Sequence, residues 1–301
     1  MSNVKTRVDI ELIKDFLNKK YPNYSSLKNI KGGEFSAVYF FKSQNQNYVL
    51  RVKHSIKTYY KEEFVYIMLN KSGISIPEVI EVGHLNDKLV YCISIKSEGV
   101  TYDTLTTQEK HECLDNFIKN LKLIHQFKHN IKGYGLFDNQ GVGENNSWYL
   151  GFKTDIEKFK NYNTKLIWDE KLCNKLVLRL KALIKFIPKN ISYLYHGDYG
   201  NGNLLIKNNK VSAVLDWGDS SGIGDFVYDI SWLDYWSKSI CYKDYYVKDI
   251  DDRWNMENFE ERYLFYQLYI ALTTLEFYSN SDQPDSFKWT VDQIIKVKKL
   301  V

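Results

Sequence analysis

The chain has 301 residues, 44% of them hydrophobic and 26% charged, with a formal net charge of +4. Aromatic residues reach 16%, which excludes a disordered chain, and the length is enough to bury the cores of one or two domains. The four cysteines (Cys92, Cys113, Cys173 and Cys241) form neither a C-x-x-C pair nor a zinc spacing, and they read as reduced thiols of a cytoplasmic protein.

Met1 to Lys20 is charged throughout and lacks the apolar core of a signal peptide. Within it, Ile10, Ile13, Phe16 and Leu17 follow Asp9 at helical spacing, which predicts an amphipathic helix over Val8 to Lys20. Leu27 to Phe41 and Tyr48 to Lys53 alternate around Lys31-Gly32-Gly33-Glu34-Phe35-Ser36 and predict a hairpin sheet with a glycine turn. A helix is expected over Tyr59 to Asn70, and strands over Ile76 to Ile80 and Leu89 to Ile95. Residues 1–95 thus read as a small α+β lobe and 96–301 as a larger, mainly helical one.

Thr106 and Glu109 form a capping box before a helix that ends near His125. The glycines between Gly133 and Trp148 predict a loop, and helices are expected near 152–162 and 170–186. Later helices are expected over Asp225 to Trp236, Asn258 to Tyr278 and Trp289 to Val297. The longest apolar stretch, Leu264 to Tyr278, contains Gln267, Thr273, Thr274 and Glu276 and is too short and too polar for a membrane span.

The chemistry concentrates between Tyr195 and Asp219. His196-Gly197-Asp198 is followed five residues after the aspartate by Asn203, the spacing of a kinase catalytic loop, in which Asp accepts a hydroxyl proton and Asn holds a metal ion. Two apolar runs follow, Leu204 to Ile206 and Val211 to Leu215, separated by Asn208 and Asn209, residues that tolerate the positive φ of a two-residue hairpin turn. The second run delivers Asp216-Trp217-Gly218. A tight hairpin brings these oxygen-bearing side chains to one end of a small sheet, as a magnesium–nucleotide complex requires.

Phosphoryl transfer also needs a loop over the phosphates, a cation and an acid to hold that cation. The loop candidate is Gly32 to Ser36, with Gly33 and Ser36 nearest the phosphates. Arg51 and Lys53 share one strand face; Arg51, flanked by Leu50 and Val52, is favoured as the cation, and Lys53 reads as solvent-facing. Its acidic partner is Glu62 or Glu63 on the following helix. His125 and His196 read as residues that orient the loop, Asp229 as an acceptor for backbone N–H groups near it, and Asp219 and Asp225 as turn residues.

These stretches resemble the aminoglycoside phosphotransferases, antibiotic kinases of the protein-kinase-like fold, and within them the hygromycin B phosphotransferases. The resemblance rests on Tyr48-Val-Leu-Arg-Val52, Tyr60-Lys61, Val65-Tyr66, Ile76-Pro-Glu-Val79, Tyr91-Cys-Ile-Ser94, Gly99-Val-Thr101, Gly141-Val-Gly143 and His196 to Asp216. It implies a two-lobed fold with ATP or GTP as phosphate donor, Asp198 as base, and Asn203 and Asp216 as Mg2+ ligands. It further implies Arg51 on the phosphates and a hinge around Ser94 to Lys96 that pairs the base. The acceptor it implies is a cationic aminoglycoside, and the outcome antibiotic resistance.

Charge is uneven: from Asp216 to Val301, 16 acidic residues face 9 basic ones, a balance of −7, against +11 for residues 1–215. The acidic third suits a cationic acceptor. No aromatic–basic motif accompanies the basic part, so a nucleic-acid partner is not expected. Two other readings share these motifs: a kinase of another small alcohol, such as a macrolide, choline or a sugar metabolite, and a non-catalytic nucleotide-binding protein of the same fold.

Overall fold

A computed structural model describes residues 6–30, 36–158, 170–237, 239–280 and 283–296. They group into two compact units. The first takes Met1–Phe117, Asp138–Gln140 and Gly200–Ser220, and the second takes Ile118–Phe137, Gly141–Tyr199 and Ser221–Val301. The hairpin carrying Asn203 and Asp216 therefore groups with the sheet-rich first unit, whereas the sequence division at residue 95 assigned it to the second.

The first unit is built on an antiparallel five-stranded sheet. Its strands are β1 (Ser25–Ile30), β2 (Ala37–Ser43), β3 (Gln46–Lys53), β4 (Val79–His84) and β5 (Val90–Ile95), in the order β1-β2-β3-β5-β4. Gln44 and Asn45, both at positive φ, turn β2 into β3. The expected strand at Ile76 begins only at Val79, consistent with Pro77 having no N–H to give a ladder. Helix α1 (Ile10–Lys20) starts at Asp9, whose carboxylate accepts the Glu11 N–H at 3.0 Å. It packs Ile13 and Leu17 with Tyr39, Phe41, Leu50, Val52, Tyr91 and Ile93. A separate cluster joins Val90 and Cys92 to Tyr59 of α2 (Lys57–Leu69). Strand β5 is thus buried on both faces, so it reads as a continuous apolar run rather than an alternating one.

The same unit contains β6 (Val100–Thr101) and the hairpin β10 (Leu204–Lys207) and β11 (Lys210–Val214), in the order β11-β10-β6. The capping box forms as expected at the start of α3 (Thr107–His125). Glu109 accepts the Thr106 N–H at 2.7 Å, and the Glu109 N–H donates to Thr106 Oγ1 at 3.3 Å.

The second unit is mostly helical: α4 (Trp148–Lys158), α5 (Glu170–Leu183), α6 (Val227–Trp236), α7 (Tyr242–Tyr246), α8 (Phe259–Asn280) and α9 (Pro284–Lys296). The expected helix end at 159–162 lies outside the described residues. Helix α8 buries Phe265, Tyr266, Leu268, Ile270, Ala271, Leu272 and Leu275, so its apolar character belongs to a core. No described helix is long and apolar enough to cross a membrane.

A small sheet was not expected here. It orders β8 (Gly143–Asn145), β7 (Tyr134–Phe137), β12 (Gly222–Gly224) and β9 (Tyr193–Tyr195). The Gly133 to Trp148 stretch is therefore not all loop. Its glycines permit close approach of strands: a Cβ on Gly143 would stand 2.6 Å from the Tyr134 nitrogen.

Candidate active site

In the first unit, β3 turns Arg51 and Lys53 away from the Leu50 and Val52 core and toward α2. The Arg51 guanidinium grips Glu62 with two nitrogens. Nη1 donates to Oε1 at 3.0 Å and Nη2 to Oε2, and Nη2 also lies 3.4 Å from Cys92 Sγ. The Glu62 side chain is 8% exposed. The structure thus selects Glu62 rather than the half-buried Glu63 as the partner of Arg51. Burial pushes the Glu62 carboxyl up, and the Arg51 charge opposes that push. Burial would lower the Arg51 pKa, but Glu62, Cys92 and Tyr59 raise it, so this guanidinium is a permanent cation. Burial likewise pushes the Cys92 thiol up to about 11.

Lys53 departs from its solvent-facing expectation. Its side chain is 12% exposed, its Nζ lies 4.5 Å from the Tyr59 ring centroid, and Asp219 stands 3.7 Å away. Asp219 lies in the turn 217–219, as expected, and its exposed carboxylate also faces Lys53.

The hairpin forms as its asparagines predicted, with φ of 52° at Asn208 and 57° at Asn209. Leu204 pairs Val214, Lys207 pairs Lys210, and a bulge falls after Leu205. Beyond the ladder the Leu215 N–H donates to the Asn203 carbonyl at 2.8 Å, so Asn203 and Asp216 lie at the same end. Asp216 is exposed, with φ 59°. Trp217 is buried beside it, its indole N–H donating to the Val214 carbonyl at 3.0 Å. Gly218 passes so close to α2 that a Cβ there would stand 2.6 Å from the Thr58 carbonyl oxygen and 3.1 Å from Glu62 Oε1. The Asp216-Trp217-Gly218 turn and the ion pair are thus neighbours. An amide oxygen and a carboxylate suit Mg2+, which takes one or two protein ligands and completes its shell with phosphates and water.

Of the remaining first-unit candidates, Gly33 lies outside the described residues. Ser36 accepts the Tyr59 hydroxyl at 3.3 Å. Ser94 is buried in β5, paired with Val49 and Val79. The Lys96 N–H donates to the Asn47 carbonyl at 2.9 Å and the Ile95 N–H to Glu78 at 2.9 Å, so both of these backbone donors are engaged.

In the second unit β9 ends at Tyr195 and the chain turns at Gly197, φ 80°. Asp229 of α6 holds this turn: Oδ2 accepts the His196 N–H at 2.8 Å and Oδ1 the Gly197 N–H at 2.7 Å. Behind it, His125 Nε2 lies 3.0 Å from Asp229 Oδ2, and His125 Nδ1 lies 2.6 Å from the Tyr246 hydroxyl. His196 is fully buried, and its Nδ1 accepts the Asp198 N–H at 3.3 Å, which places the ring proton of the neutral form on Nε2. Both histidines therefore orient the loop, as their sequence context indicated. Asp198 itself is half-buried, and its Oδ1 accepts the Trp232 indole N–H at 3.1 Å.

Sequence reasoning missed three features. Trp232 carried one signal, its position three residues after Asp229 on the same helical face. Tyr246 carried none. Asp225, read as a turn residue, is instead fully buried and paired with buried Arg262 at 2.9 Å, and the Tyr266 hydroxyl donates to it at 2.8 Å.

Comparison with known proteins bears on the family and the fold. The model of the phosphotransferase enzyme family (APH) matches residues 26–264. A hygromycin-B 4-O-kinase of Escherichia coli is 28% identical over 227 residues, covering 74% of this chain and 66% of that protein, just under two thirds of its length. The crystal structure of aminoglycoside phosphotransferase APH(4)-Ia superposes with a TM-score of 0.84 at 24% identity, covering 97% of this chain and 99% of that one. A kanamycin and GDP complex of APH(2")-IIia gives 0.70 at 15%, covering 94% and 97%. The two-unit α+β architecture is that of these phosphotransferases, and the chain belongs to the phosphotransferase enzyme family.

Proposed function

We propose that this chain transfers the terminal phosphoryl group of ATP or GTP to a hydroxyl of a hygromycin B-like aminoglycoside, in the cytoplasm, and so gives resistance. The observation that carries the reading is the hairpin register that sets Asn203 and Asp216 at one end, beside the Arg51–Glu62 pair. The kinship with a hygromycin-B 4-O-kinase supports the acceptor.

Residues 1–95 bind the nucleotide in this reading, with Gly33 and Ser36 near the phosphates and Ser94 to Lys96 near the base. Asn203 and Asp216 would hold Mg2+, which supplies charge neutralisation on the phosphates when bound. Arg51, kept in place by Glu62, adds a fixed positive charge. Asp198 takes the proton of the acceptor hydroxyl as its oxygen bonds to phosphorus and the bond to the leaving nucleoside diphosphate breaks. Asp229 fixes the loop backbone, so Asp198 needs little rearrangement.

The test is turnover by the purified enzyme with ATP and with GTP across hygromycin B, other aminoglycosides, choline and a macrolide. Phosphorylated hygromycin B is the expected product. Transfer to choline or the macrolide alone would replace the acceptor and leave the kinase chemistry standing.

A further inference from the structure

We infer that Trp232 is a positioning residue for the reaction: its indole N–H locks the carboxylate of Asp198 in the orientation that receives the acceptor proton. The inference rests on the assignment of Asp198 as base. Trp232 Nε1 lies 3.1 Å from Asp198 Oδ1. The terminal torsion of an aspartate is broad and roughly twofold, so a carboxylate without such a tether turns readily about its own axis. A donor on one oxygen restricts that rotation.

The indole is itself held. Trp232 and Trp236 lie one turn apart on α6, with ring centroids 5.7 Å apart. Trp236 stacks face to face on Trp289 of α9, at 5.1 Å and 5°. Tyr235 sets its edge against Trp236 at 5.2 Å and against Trp289 at 6.2 Å. The stack therefore backs Trp232 on the side of α9. The same helix carries Asp229, which fixes the backbone of the catalytic loop. One helix thus fixes both the main chain that carries Asp198 and the torsion of its side chain. A partly buried indole N–H needs an acceptor, and here that acceptor is the carboxylate of Asp198.

The test compares Trp232→Phe, which keeps a ring and removes the N–H, with Trp232→His, which restores a ring N–H. Trp232→Phe is expected to lower kcat about tenfold to a hundredfold, the range for a lost hydrogen bond to a charged group. KM for hygromycin B and for nucleotide should stay within about twofold, because the bond acts on the transition state and not on ground-state binding. Trp232→His should recover part of the loss. Where Trp232→Phe does not fold, β-(3-benzothienyl)alanine at position 232, which exchanges only N–H for sulfur, gives the same comparison. Parental kcat without the N–H, a rise in KM at parental kcat, or no recovery in Trp232→His would each overturn the inference.

Asp198→Asn separates the two layers. If it abolishes turnover while Trp232→Phe does not lower it, the base assignment stands and the positioning role falls. If Asp198→Asn keeps parental turnover, the base assignment falls and takes the inference with it. In the Asp198→Asn background, adding Trp232→Phe is expected to cost nothing further.

Discussion

The carboxylate of Asp229 accepts the backbone N–H of Gly197 at 2.7 Å, and its other oxygen accepts that of His196 at 2.8 Å. Asp229 is fully buried, so both donors depend on it. Asp229→Ala leaves buried N–H groups without an acceptor, at about 1–3 kcal/mol each. We expect a clear loss of stability in urea unfolding together with a fall in kcat. Asp229→Asn, which keeps one acceptor oxygen, should fall between the two. A variant that loses stability and keeps parental kcat would show that the loop holds its shape without this anchor.

Asp216→Ala should weaken nucleotide binding in the presence of magnesium much more than in its absence. In the proposed reading the carboxylate is a ligand of the metal and not of the nucleotide itself. Calorimetric titration of ATP with and without Mg2+ reads this directly. Equal loss in both conditions would point to damage in the hairpin instead.

Glu62→Ala strips a partly exposed cation of its buried partner, and removing one member of such a pair costs up to about 3–5 kcal/mol. The expected outcome is a lower Tm and a higher KM for ATP. Arg51→Lys keeps the charge and loses the two-pronged grip on Glu62, so its stability should fall less while kcat drops. Parental KM in Glu62→Ala would remove this pair from nucleotide binding.

The KM for hygromycin B should rise with ionic strength. Residues after Leu215 carry a balance of −7, and a polycationic sugar gains long-range attraction from such a surface. At a Debye length of about 8 Å near physiological salt, most of that attraction is screened. Initial rates between low and high potassium chloride measure it, and a flat KM would confine recognition to short-range contacts.

Much of this was legible in the sequence because the signals were local. The asparagine pair at 208 and 209, the Thr106–Glu109 box and the alternation of Arg51 with Leu50 and Val52 each depend on neighbours a few residues away. The Asp198 to Asn203 spacing has the same local character. What stayed hidden was set by partners distant along the chain. Glu62 and Glu63 differ only in which way α2 turns them. Lys53 looked exposed because nothing nearby foretells the Tyr59 ring or Asp219. Asp225 meets Arg262 across 37 positions, and the strands between Gly133 and Asn145 are short and glycine-rich enough to read as turns.

Asp216 sits at φ 59°, a left-handed backbone conformation that glycine adopts freely and other residues adopt at a cost. In the proposed reading the chemistry asks for a carboxylate at a position where glycine would sit free of steric strain, its larger loss of chain entropy on folding set against that relief. Heat therefore exerts no pressure to keep it. A laboratory evolution campaign that selected this protein only for surviving a thermal challenge would let Asp216→Gly drift in unnoticed, yielding well-folded molecules that no longer act. On the proposed function, screening for durability has to be run with the antibiotic present, so that the folded and the functional populations remain the same.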